Sequence, residues 1–153
     1  MSVRHAPEGW QCPFCDIARG GESERTKRSA VIIEGPTMTA FVASHWWPGD
    51  PGHVLVIPNS HFENLYEFPP GLGVDLIAVT QRVAIAMKAA YACDGISTRQ
   101  HNEPAGGQDI WHFHQHVFPR WANDRLYERH QERTPATRNA IARPAASLRE
   151  RLT

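Results

Sequence analysis

The chain has 153 residues, a length that suits one domain around a single core, and its 41% hydrophobic and 21% charged residues argue against a disordered chain. Sixteen basic residues balance sixteen acidic ones, so no global field attracts nucleic acid or an anionic membrane, and neither is expected as a partner. No apolar run approaches the roughly 20 residues of a spanning helix, and the opening MSVRHAPEGW lacks the apolar stretch of a secretory signal, which leads to the expectation of a cytoplasmic protein.

Residues 1–29 are rich in Gly, Pro, Arg and Glu and read as an irregular arm pinned around Cys12 and Cys15. The segments 30–34 and 38–43 are apolar and β-branched, and the turn signal Gly35-Pro36 between them predicts a β-hairpin. SHWWPGDPG at 44–52 is a breaker-rich loop, and HVLVIP reads as a strand ending at Pro58. From Leu72 to Cys93 the period becomes helical, with Leu76, Val79, Val83, Met87 and Ala90 on one stripe. Pro69-Pro70 suits its start and Asp94-Gly95 its stop. Strand character returns at 95–100 and 110–118, on either side of the glycine turn NEPAGGQ. Strands, helix, strands predicts an α+β domain with a mostly antiparallel sheet and one long helix.

After Arg120 the tail carries seven spaced arginines among small residues, with Ile141, Leu148 and Leu152 available for packing. It reads as a C-terminal extension, residues 122–153, of one or two short helices whose arginines form a solvated face. Cys93 reads as a buried apolar residue. The C-x-x-C of Cys12 and Cys15 suits a metal site or a redox pair better than a structural disulfide.

In WHFHQHVF, His112, His114 and His116 alternate strictly. In a strand they share one face, about 6.6 Å apart. Imidazole changes protonation near neutral pH, so such a row can supply metal ligands, a nucleophile and an acid or base. The Gly106-Gly107-Gln108-Asp109 turn just before it can offer backbone amides as a phosphate nest.

The run GGQDIWHFHQHVFPR resembles the signature of the histidine triad (HIT) family, and CPFCDIARG, AFV at 40–42 and PGHVLVIPNSHFENL match it further in the right order. The resemblance spans about residues 10–121, the core of a single domain over 1–153. It implies a HIT-like fold, a homodimer, and an enzyme that hydrolyses or transfers at the α-phosphate of nucleoside phosphoramidates or dinucleoside polyphosphates. His114 matches the histidine that attacks phosphorus to give a covalent nucleotidyl-histidine. By the same resemblance Ile17 and Phe41 sandwich the base, and Asn102, Gly107, Gln108, Asp109 and His116 lie around the phosphates. A nucleotide-binding module with little turnover is the alternative, and a zinc-stabilised interaction domain without a small ligand is a third reading.

Some relatives carry structural zinc on an N-terminal C-x-x-C, a later histidine and the first histidine of the triad. Here those positions are Cys12, Cys15, His61 and His112, with His53 as another candidate for the third ligand. Three positions depart from the family's pattern. Ala43 stands where an aspartate often holds the ribose, Asp109 where a serine or threonine donates to the phosphate, and Gln115 where the triad has an apolar residue.

Overall fold

The computed structural model describes residues 4–153. The two β-branched runs form the expected hairpin, β1 (Val31–Glu34) and β2 (Met38–Val42), paired antiparallel. Its turn is tight: a Cβ at Gly35 would meet the Met38 carbonyl at 3.0 Å. A two-residue strand, β3 (His45–Trp46), follows, then β4 (Val54–Pro58), which ends on the proline that cannot donate to the ladder. With β5 (Gly95–Gln100) and β6 (Gln115–Arg120) the main sheet runs β1-β2-β4-β6-β5, antiparallel throughout. The expected α+β architecture with an antiparallel sheet is therefore present.

Every residue of β2 and β4 is buried, so the middle of the sheet is covered on both faces. On one face lies helix α2 (Gly73–Tyr91), which buries Val83, Ala86 and Met87 while Leu76, Val79 and Ala90 pack alongside. That is the predicted stripe. The helix stops where Ala92 turns left-handed at φ 51°. One expectation is qualified: by length and composition alone the helical run Pro70–Tyr91 could cross a membrane, as core helices also can, although Asp75, Arg82 and Lys88 interrupt its apolar residues. Its apolar residues exceed what one packed face requires, and several remain exposed.

Two further expectations change. The arm is not wholly irregular, because Pro13–Ala18 forms helix α1. Pro13 suits a first turn, and the Cys12 thiol sulfur accepts the Cys15 N–H at 3.4 Å as the N-cap. The second change concerns the histidine strand, which begins at Gln115 rather than Ile110. β4 pairs with β6 only over Gln115–Val117, and the Phe113 amide bonds to the Phe62 carbonyl instead of the sheet, so His112 and His114 precede the ladder.

The tail folds back. After a 3-10 turn at Leu126–Glu132, β7 (Thr134–Pro135) pairs with β3, and helix α3 (Arg138–Leu152) buries Ile141, Ala145 and Leu148 against β1, β2 and α2. Thr137 caps α3 by accepting the Ala140 N–H. Trp47 is buried against Phe118 and Leu126 and donates to the His130 carbonyl, which locks the 44–52 loop to the tail.

Candidate active site

Two of the triad imidazoles, His112 and His114, have their tautomers decided by backbone carbonyls. His114 Nδ1 lies 2.7 Å from the His112 carbonyl oxygen. A carbonyl only accepts, so Nδ1 carries the proton and Nε2 presents a lone pair. His112 is the mirror case: its Nε2 donates to the Pro58 carbonyl at 3.0 Å, leaving Nδ1 free. That Nδ1 stands 3.3 Å from the Cys12 sulfur and 3.6 Å from the Cys15 sulfur. His116 stacks parallel to Phe118, at 5.3 Å, and against His53 at 5.6 Å.

All these rings are buried, and burial disfavours the cation. It lowers His114 against the opposing pull of the His112 carbonyl and Asp109, lowers His116 well below its usual value, and takes His53 to about 3. At neutral pH the row is uncharged. A neutral imidazole with a free Nε2 is the form that acts as a nucleophile.

His114 and His116 face a cavity whose apolar wall is Phe14, Phe41, Ala43 and Leu55. The register explains the grouping, because Phe41 pairs with Leu55 across β2 and β4, and Leu55 pairs with His116 across β4 and β6. Paired residues share a face of the sheet. The mouth carries Arg25, His45, Asp109 and Arg133. Asp109 Oδ1 is 3.9 Å from His114 Nε2, and Asp109 Oδ2 is 3.0 Å from Arg133 Nη1. The cavity has a volume of about 30 Å³.

Of the residues expected around a nucleotide, the structure brings Phe41, Asp109 and His116 to His114. The others lie elsewhere. Ile17 is fully buried in the core and does not line the cavity; Phe14, one turn earlier on α1, does, with its ring 5.3 Å from Phe41 and 5.4 Å from His114. Asn102 accepts the Leu65 N–H at 2.7 Å and exchanges hydrogen bonds with Gln100. Gln108 is committed at both ends, donating to the Glu63 and Ile110 carbonyls and accepting from the Glu103 amide. The amides of Gly106, Gly107 and Gln108 bond to the carbonyls of Glu103 and Pro104, so the expected phosphate nest is occupied by its own turn. Gly107 is needed there for its φ of 86° and for the close approach of His101, 3.2 Å from a would-be Cβ.

Sequence reasoning missed Phe14, Arg25, His45, His53 and Arg133 at the cavity. Arg133 keeps the exposure expected of the arginine face and is also ion-paired to Asp109 at the mouth, beside the pairing of β7 with β3. The signal for His53 was its position two residues before Leu55 on one strand face. For Arg25 and Arg133 no sequence pattern points to the cavity.

Cys12, Cys15, His61 and His112 place one ligand atom each within 4.8 Å of one another. The Cys15 sulfur is 3.4 Å from His61 Nδ1. A tetrahedral zinc with bonds of about 2.3 Å to sulfur and about 2.0 Å to nitrogen requires sulfur–nitrogen separations of roughly 3.5 Å, so the donor set fits such an ion. Burial pushes the Cys12 thiol up to about 12, and a cation among these groups would reverse that cost. His53 is on the cavity side, stacked with Phe118, and is not in the cluster.

The HIT domain family matches residues 24–123. An uncharacterized HIT-like protein of Mycobacterium tuberculosis is 34% identical over 115 residues, 75% of each chain. An adenylylsulfatase of Arabidopsis thaliana is 31% identical over 116 residues, covering 76% of this chain and 55% of the relative. The crystal structure of a zinc-bound histidine triad family protein from Mycobacterium smegmatis superimposes with a TM-score of 0.72 at 29% identity, covering 92% of both chains. The domain match includes His112, His114 and His116, and the chain belongs to the histidine triad (HIT) family.

Proposed function

We propose that this protein is a nucleotide hydrolase or nucleotidyl transferase acting at the α-phosphate of dinucleoside polyphosphates or nucleoside phosphoramidates through a covalent adduct on His114. The observation that carries the reading is the Nδ1–H of His114 tied to the His112 carbonyl with Nε2 facing the cavity. In the first step the Nε2 lone pair forms a bond to phosphorus, and the leaving group departs with the electrons of its own bond, an oxyanion as such and an amine after taking a proton from solvent. The positive charge left on the ring is stabilised by the carbonyl on Nδ1 and by Asp109. In the second step a water or another acceptor attacks phosphorus, loses a proton, and returns the Nε2 lone pair. Splitting the displacement in two lowers each barrier. Phe41 and Phe14 form the wall against the base, and His116 approaches the phosphate oxygens.

The experiment is to incubate the wild type and His114→Asn with an adenosine phosphoramidate and isolate the protein. The wild type is expected to carry an acid-labile nucleotidyl group and the variant none, with turnover lowered about 10³-fold or more. No adduct and equal rates would sink the reading. The second reading, a nucleotide-binding module with little turnover, is favoured by the Asp109 carboxylate 3.9 Å from Nε2 and by Ala43, which offers no ribose contact. It predicts nucleotide binding by calorimetry without an adduct.

The same reading gives Cys12, Cys15, His61 and His112 a structural zinc ion that fastens α1 to the sheet. The four converging donor atoms and the zinc-bound relative support it. It also makes the protein a homodimer. Support comes from the exposed apolar residues Val74, Ile77 and Ile85 of α2 and from β5, an edge strand of the sheet.

A further inference from the structure

Four groups at the cavity mouth have no part in the steps above except for Asp109, whose charge faces the ring: Arg25, His45, Asp109 and Arg133. They arrive from distant stretches of chain, the segment before β1, the start of β3, the glycine turn and the residue just before β7. Arg133 bonds to one Asp109 oxygen at 3.0 Å, and the other oxygen faces His114 Nε2 at 3.9 Å. A carboxylate therefore stands between the nucleophilic nitrogen and a guanidinium. Arg25 Nη2 lies 3.2 Å from His45 Nδ1. A guanidinium only donates, so this nitrogen accepts and His45 is neutral. Burial and the two arginines lower His45 further from its charged form. His45 thus holds Arg25 at the mouth without cancelling its charge.

We infer that Arg25 and Arg133 form a recognition site for an oxyanion leaving group, a phosphate, polyphosphate or sulfate joined to the α-phosphorus, and that Asp109 occupies this site until the substrate's anion displaces it. The inference rests on His114 as the nucleophile toward that phosphorus. The carboxylate marks a position where a negative group is accepted between Nε2 and Arg133, and guanidinium forks match phosphate and sulfate oxygens as they match carboxylates. Arg133 is aimed at it by the β3–β7 pairing and by the Trp47 ring, 5.6 Å beneath the guanidinium.

The chemistry of departure points the same way. When the phosphorus–oxygen bond breaks, the leaving oxyanion takes the bonding pair and needs no proton, and its charge falls to the two arginines. An amine leaving group needs a proton. Although burial raises the Asp109 carboxyl, His114, Arg133 and Arg25 hold it below its ordinary value, so it is ionised at neutral pH and only accepts.

The test compares kcat/KM of the full chain on diadenosine tetraphosphate and adenosine 5′-phosphosulfate, whose leaving groups are oxyanions, with adenosine 5′-phosphoramidate, whose leaving group is an amine. In Arg25→Gln and Arg133→Gln the ratio of either oxyanion substrate to the phosphoramidate is expected to fall about tenfold or more, as for loss of a charge-assisted hydrogen bond, and Arg133→Lys is expected to recover part of it. A ratio unchanged in both Gln variants overturns the proposal. A fall for one oxyanion substrate alone identifies which anion the site takes.

A second measurement is independent of turnover. Calorimetric titration with inorganic tripolyphosphate is expected to show binding that weakens about tenfold or more in the Arg25→Gln/Arg133→Gln double variant and tightens in Asp109→Asn. Equal affinity in all three proteins overturns the site. If the wild type turns over none of the substrates, the His114 reading fails while the titration still decides the arginines.

Discussion

His112 and His114 are two residues apart, yet they expose different nitrogens because the carbonyl of Pro58 takes one ring and the carbonyl of His112 takes the other. The same local accounting identifies Asp50 as the anomaly among the buried acids. It is 1% exposed, neither carboxyl oxygen has a hydrogen-bond partner, and burial, helped by nearby Asp124 and opposed by Arg120, raises it to about 7. An unfolded aspartate releases its proton near pH 4. Between about 4 and about 7 the folded chain therefore holds a proton that the unfolded chain has lost, and stability falls as pH rises through that window. Urea midpoints of the wild type should drop between pH 5 and pH 8 more than those of Asp50→Asn. Parallel drops would show that Asp50 is not the titrating group. Removing the carboxyl also removes the cost of charging it, so the variant's advantage should be larger at pH 8.

At the scale of elements, the short helix α1 links the two halves of the site. Cys12 at its N-cap and Cys15 within it meet His61 and His112, and Phe14 reaches from it to the wall beside His114. A six-residue helix is too short to be stable alone, so its order depends on anchoring. Cys15→Ser should reduce bound zinc from one equivalent to a small fraction by metal analysis and lower Tm by about 5 °C or more. Amide exchange over Pro13–Ala18 should rise most. Full zinc with unchanged exchange would contradict the four-ligand site. The pairing of β3 with β7 plays a comparable part for the mouth, since it carries His45 on one strand and places Arg133 next to the other.

For the whole molecule, the main sheet ends at β5, and α2 leaves Val74 79%, Ile77 66% and Ile85 64% exposed. Ile77 and Ile85 lie three and eleven residues beyond Val74, which puts all three on one face of the helix. Wild-type protein at micromolar concentration should sediment as a dimer of the 17.2 kDa chain, and Ile77→Glu/Ile85→Glu should shift it to monomer. A monomeric wild type would rule out this assembly. A charged pair on an exposed face costs little within one chain, so the variant should keep its fold.

Much of the architecture was legible in order along the chain. The hairpin about Gly35, β4 ending at Pro58 and the stripe of α2 are written in local patterns, because alternation, helical period and turn residues act over a few neighbours. The histidine row, the C-x-x-C pair and their partners His61 and His112 were legible through the family's motif. Other parts were not. Local pattern continued the histidine strand back to Ile110, whereas the tertiary path pairs it only from Gln115 and commits Gly107 and Gln108 to their own turn. Phe14 displaced Ile17 at the cavity wall, and Arg133 reached Asp109 from 24 residues away. The sequence by itself determined the family, the order of elements and the residue types available for chemistry. Only the tertiary structure decided which nitrogens are free and which charges meet at the mouth, because carbonyl partners, burial and long-range pairing are set by packing between segments and leave no periodic trace in any one of them.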